Sequence, residues 1–128
     1  MPKPKDILEN FSEKFPILGC FHTAYQQVAE ISKNEDNTLR KSAEITIFEI
    51  LELIVIATRQ GKAEKFQTLK QAMRKLDTLR VFADMASDIK LLASNKYDDL
   101  QITLQTGGKM LGGWLKSTNP NNVPVPSK

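Results

Sequence analysis

Between Ile45 and Ala57 the chain carries Ile45, Ile47, Phe48, Ile50, Leu51, Leu53, Ile54, Val55 and Ile56, with only Thr46, Glu49 and Glu52 interrupting the run. A helix advances 100° per residue, so these side chains cover more than one stripe and the helix that carries them must be covered on more than one side. That demands either a central place in a bundle or burial in an oligomer. Several of the residues are β-branched, which makes a strand the competing reading. The length of the segment and the helical pattern on both sides of it favour a helix. The run is well short of the roughly 20 apolar residues that a membrane span needs. No transmembrane helix is expected.

The rest of the chain repeats the same periodicity. Pro16 suits a first helical turn, and Ile17, Cys20, Phe21, Ala24, Val28 and Ile31 follow at three- and four-residue steps, which predicts a helix over Pro16–Ser32. The polar stretch Lys33 to Asn37 breaks it, and a second helix is predicted from Leu39 to Gln60. Gly61 stands where a left-handed C-terminal cap belongs. A third helix follows, apolar at Phe66, Leu69, Met73, Leu76, Leu79, Phe82, Ala83, Ala86 and Ile89 and continuing to Leu92. Ser94 is a suitable N-cap for a fourth, carrying Tyr97, Leu100, Leu104, Met110, Leu111 and Trp114. The fold class is therefore all-α, an antiparallel up-down-up-down four-helix bundle over residues 16–117. Residues 1–15, with Ile7, Leu8, Phe11 and Phe15 in a short amphipathic pattern, read as an N-terminal arm, and the Asn- and Pro-rich residues 118–128 as a disordered tail.

Composition limits the chemistry. At 128 residues the chain can bury one core, and 41% hydrophobic with 26% charged residues is an ordinary soluble mixture. The basic N-terminus is not followed by an apolar segment or a cleavage site, which points to a cytoplasmic location. Cys20 is the one cysteine and His22 the one histidine. A di-metal carboxylate bundle needs Glu-x-x-His, and the residue three before His22 is Gly19. Glu44, Glu49 and Glu52 remain as oxygen donors but read as ion-pairing residues. Cys20 and His22 are two apart and point in different directions on a helix. No catalytic residue, no metal ligand and no cofactor is assigned, and the chain does not read as an enzyme.

Two features are left for function. Gly107-Gly108-Lys109-Met110-Leu111-Gly112-Gly113-Trp114 places four glycines and the only tryptophan inside a predicted helix. Interior glycine costs about 1 kcal/mol relative to alanine, so close packing or a bound ligand has to justify it. The spacing matches no phosphate loop or dinucleotide fingerprint, which favours packing, intramolecular or between subunits, at Gly108, Gly112, Gly113 and Trp114. The second feature is charge. Net charge is +3, and Arg59, Lys62, Lys65, Lys70, Arg74, Lys75 and Arg80 face only Glu64 and Asp77 in the same stretch. After Asp99 the only charged residues are Lys109, Lys116 and Lys128. Such residues form either a solvated helix face or a surface for an anionic partner. Arg80 lies beside the apolar stripe, so it pairs with Glu49, Glu52 or Asp84, or faces an interface or pore that a phosphate can reach.

The segment Leu79-Arg80-Val-Phe-Ala-Asp-Met-Ala-Ser-Asp-Ile-Lys-Leu-Leu92, then Ser94-Asn-Lys-Tyr97, then Gly108-Lys-Met-Leu-Gly-Gly-Trp-Leu-Lys-Ser117 resembles a group of small bacterial four-helix bundle proteins. The group includes proteins encoded in ribosomal RNA intervening sequences and Avd, the accessory variability determinant of diversity-generating retroelements. The likeness runs from about Thr38 to Ser117. It implies a homopentameric barrel with a positively charged surface. For the retroelement members it implies binding to a reverse transcriptase and to template RNA or RNA–DNA hybrid, in support of mutagenic reverse transcription. Arg80 and Lys109 match basic positions of that group, and Lys116 extends the same helix. Asp84 departs from members with a second basic residue there. The intervening-sequence relatives imply only a structural or protein-interaction bundle, and the basic excess of the third helix favours the retroelement role.

Overall fold

The computed structural model describes residues 15–31 and 38–119. The expected arm up to Lys14 and the expected tail beyond Asn119 lie outside them. Four helices are present, α1 (Pro16–Val28), α2 (Thr38–Ala57), α3 (Lys62–Asp88) and α4 (Ser94–Thr118), and no strand occurs among the described residues. α3, with 27 residues, is about 40 Å long. Thr118, expected in the tail, ends α4 and is buried. Each helix packs on the next, and α4 closes the ring against α1, as a four-helix bundle requires.

One continuous core fills the centre. Phe21, Ala24 and Val28 of α1 meet Ile47, Ile50 and Ile54 of α2, Leu69, Leu76 and Leu79 of α3, and Leu100, Leu104 and Leu111 of α4. Alanines at 43, 57, 72, 83 and 86 are also buried, which lets neighbouring helices come close. α2 buries only one of its stripes. Ile45 (57% exposed), Phe48 (55%), Val55 (46%) and Ile56 (40%) lie on the outside. The described residues therefore do not give this helix a central, fully covered place. No helix among the described residues is long and apolar enough to cross a membrane.

Two expected caps are built differently. Gly61 is extended (φ −71°, ψ 168°) and serves as the N-cap of α3, its carbonyl accepting from Lys65 N–H at 2.8 Å. α2 needs no left-handed residue because Arg59 N–H and Gln60 N–H tighten onto the carbonyls of Ile56 and Ala57. The corner is then pinned by the Thr68 hydroxyl donating to Gln60 Oε1 at 2.6 Å. Ser94 is the first helical residue of α4, and Ala93 takes the N-cap position without a side-chain bond.

The left-handed residue is Lys90 (φ 62°), just after α3. Its N–H donates to Ser87 O at 3.0 Å and Leu91 N–H donates to Ala86 O at 2.8 Å, the paired bonds of a Schellman turn. A side chain in this conformation costs about 1–2 kcal/mol, of which glycine's greater freedom in the unfolded chain offsets part. Lys90→Gly is expected to raise unfolding free energy by about 0.5–1 kcal/mol, measured as a higher urea midpoint at unchanged slope.

Candidate nucleic-acid interface

The starts of α1 and α3 and the ends of α2 and α4 meet at one pole. Phe15, Pro16 and Ile17 from the head of α1, Thr58 from just after α2, and Met110 and Trp114 from α4 line one hollow of about 570 Å³ there. At the same pole Lys65 Nζ sits 5.7 Å from the centre of the Trp114 ring, a cation–π contact that joins the first turn of α3 to the end of α4. Arg59 is exposed on the connection between α2 and α3, Lys62 is exposed at the first position of α3, and Lys116 is exposed on the last turn of α4. Four basic residues, with the exposed Glu64, thus lie at the pole that holds this largely apolar opening, and one of them, Lys65, touches its wall.

The other basic residues of α3 diverge. Lys70 lies over the Phe66 ring at 5.3 Å, and Arg74, four residues on, shares its face and is exposed. Lys75 points to α2 and pairs with Glu49 at 2.9 Å. Its charge is already matched. Lys109 and Lys116 are seven residues apart on α4 and share one exposed face with Ile102.

Arg80 turns to α4 and is half-buried. It pairs with none of the carboxylates expected of it: Glu49 takes Lys75, and no ion pair of Arg80 occurs among the described residues. Asp84 is occupied by Tyr97 and Gln101, since the Tyr97 hydroxyl donates to Asp84 Oδ1 at 2.6 Å and Gln101 Nε2 donates to the same oxygen at 3.0 Å. The Asp84 bond, more than burial, pushes the Tyr97 pKa up, because loss of the phenol proton would set phenolate against carboxylate. Arg80 instead donates one bond, to Leu104 O at 3.4 Å, and lines an open hollow of about 370 Å³ with Gln101, Ile102 and Gln105. A guanidinium has five N–H donors, so an anion entering this hollow meets donors to spare.

The glycines divide into two pairs. A Cβ on Gly107 would lie 2.8 Å from the tip of the buried Phe21 ring, and one on Gly108 would lie 2.5 Å from an Arg80 nitrogen. Gly107 lets α1 lie against α4, and Gly108 lets the Arg80 guanidinium cross the α4 backbone. At Gly112 and Gly113 nothing lies within 4 Å of such an atom. The packing expected of Gly112 and Gly113 is therefore not made by any of the described residues. Trp114 is half-buried and packs against the core edge.

Sequence reasoning missed the hollow and the particular role of Gly107. The traceable signal was Met110 and Trp114, four apart on one face, together with the aromatic Phe15 directly before Pro16. No pattern in the chain tells that these meet.

Cys20 donates to Thr103 O at 3.3 Å, and burial pushes its thiol pKa up, the opposite of the shift that activates a nucleophilic cysteine. Among the described residues no three His, Cys, Asp or Glu side chains converge as a metal site would need. Compared with known proteins, the chain matches the bAvd-like family over residues 13–118, a span that takes in all four helices. No curated protein and no solved structure matches it. With the glycine–tryptophan segment, Arg80 and the whole bundle inside the matched span, this chain belongs to the bAvd-like family.

Proposed function

We propose that this protein is a non-enzymatic accessory protein of a diversity-generating retroelement, a cytoplasmic homo-oligomer whose basic surface holds a reverse transcriptase and template RNA or RNA–DNA hybrid. The observation that carries the reading is the gathering of Arg59, Lys62, Lys65 and Lys116 at one pole of a chain of the bAvd-like family. Arg74, Lys109 and the half-buried Arg80 extend the basic surface along α3 and α4. Lys70 and Lys75 take lesser parts, the first lying on a ring and the second matched by Glu49. The uncovered stripe on α2 supports assembly with further copies, and a pentamer is the state that the family resemblance implies.

Phosphate contacts by such side chains give affinity with little sequence preference. Purified protein is expected to bind structured RNA and RNA–DNA hybrid at low salt, with log K falling by about 3–4 per decade of salt if four contacts form. Arg59→Gln, Lys62→Gln and Arg74→Gln are each expected to flatten that dependence by about 1. Lys75→Gln is expected to leave it unchanged. No binding to either nucleic acid at low salt, together with no association with a reverse transcriptase, returns the chain to a purely structural bundle.

A further inference from the structure

We propose that the hollow at the basic pole is the seat of the chain's own N-terminal segment, with Phe11 and the Ile7–Leu8 pair as the side chains that enter it. Among the described residues its walls are Phe15, Pro16, Ile17, Met110 and Trp114, with the Thr58 hydroxyl donating to Val55 O at 2.6 Å and the Trp114 indole N–H as the other side-chain polar group. An opening of about 570 Å³ with this lining takes large apolar side chains and offers little to a polar ligand. Phe15 itself is 37% exposed at the rim. An aromatic ring left this open beside a second one, Trp114, is incomplete packing.

The occupant follows from where the chain enters. Phe15 is both a wall of the hollow and the residue at which the segment 1–14 joins the bundle. Counting back from it, Phe11 is four residues away, Leu8 three further and Ile7 four further, so Ile7, Leu8 and Phe11 have the spacing of one amphipathic stripe close in sequence to the rim. The segment is polar elsewhere, with Lys3, Lys5, Asp6, Glu9, Asn10, Ser12, Glu13 and Lys14. A tether of three residues between Phe11 and Phe15 holds the anchor at an effective concentration on the order of millimolar, which an outside peptide has to exceed. Residues 1–12 precede the span matched by the bAvd-like family, whereas the walls of the hollow lie inside it. The proposal is independent of nucleic-acid binding.

Trp114 is the only tryptophan and lines the hollow, so its fluorescence reads occupancy directly in the full-length protein. Phe11→Ala combined with Leu8→Ala is expected to shift Trp114 emission to the red and to raise its quenching by acrylamide, while helical content by circular dichroism holds. Phe11→Leu, which keeps an apolar anchor, is expected to restore most of the wild-type signal. A nitroxide attached to Ser12→Cys, in a Cys20→Ala background, is expected to quench Trp114 equally at all protein concentrations. Emission that ignores Phe11→Ala and Leu8→Ala overturns the proposal, as does an absent nitroxide quench. Quenching or blue-shifted emission that fades on dilution of the wild-type chain also overturns it, and assigns the hollow to a second copy.

Discussion

Phe21→Ala is expected to cost about 3–5 kcal/mol of unfolding free energy, a large part of the 5–15 kcal/mol typical of a domain. The ring is 1% exposed and its tip occupies the space that a side chain at position 107 would fill. α1 is the shortest helix, and Phe21 is its largest buried side chain, so the lost contact falls on the element least able to bear it. The reverse intrusion is also unfavourable. Gly107→Ala gains about 1 kcal/mol in helix propensity but forces a buried ring to move, at about 1–3 kcal/mol, for a net loss. Phe21→Leu with Gly107→Ala is expected to be better tolerated than the single changes sum to, because each makes room for the other. Urea unfolding of the four proteins measures the coupling. Gly112→Ala and Gly113→Ala provide the contrast, each expected to gain up to about 1 kcal/mol where no described residue stands in the way. A loss at those positions would show that the bare backbone is approached from beyond the described residues, by a neighbouring molecule or by another part of the chain.

The second large effect concerns assembly. Phe48 and Val55 are seven residues apart on the open stripe of α2, and Phe48 is braced by Tyr25, whose ring centre lies 5.0 Å away. A braced aromatic ring loses little freedom on docking, which suits it as an interface anchor. Phe48→Glu with Val55→Glu is expected to weaken subunit association by about 10³-fold or more, from about 2 kcal/mol of lost burial per side chain. Sedimentation of the double variant should return single chains that remain helical. Wild-type protein that sediments as a monomer at micromolar concentration would refute the proposed assembly.

The bundle was legible because its apolar residues keep the helical period almost without a break. Ile47, Ile50 and Ile54, or Leu69, Leu76 and Leu79, announce a buried face from spacing alone, and these residues are the core. Helix ends were less legible. Gly61 and Ser94 are residue types that suit more than one position of a cap, and the Gln60–Thr68 bond that settles the corner joins two helices. The basic face shows the same limit more strongly. A lysine's place in the chain gives its direction on its own helix but not what stands opposite, so Lys75 looked equivalent to Arg74 until Glu49 of α2 was placed beside it. Arg80 stands out in the sequence by its position beside the apolar stripe, and in the structure it is half-buried against α4. Its actual partner, a main-chain carbonyl reached across Gly108, carries no signature in a side-chain pattern.

The alternation of helix directions has a consequence for the electric field of the basic pole. Two helices begin there and two end there, so the partial positive charges of the α1 and α3 N-termini stand beside the partial negative charges of the α2 and α4 C-termini. The backbone contributions largely cancel over any distance greater than the bundle's width. The long-range potential at that end is then written by side chains, among the described residues Arg59, Lys62, Lys65 and Lys116 set against Glu64. All five lie at the surface or its edge, outside the core. The same scaffold can therefore present either sign of charge at its pole by surface substitution alone, and partner choice is separable from folding.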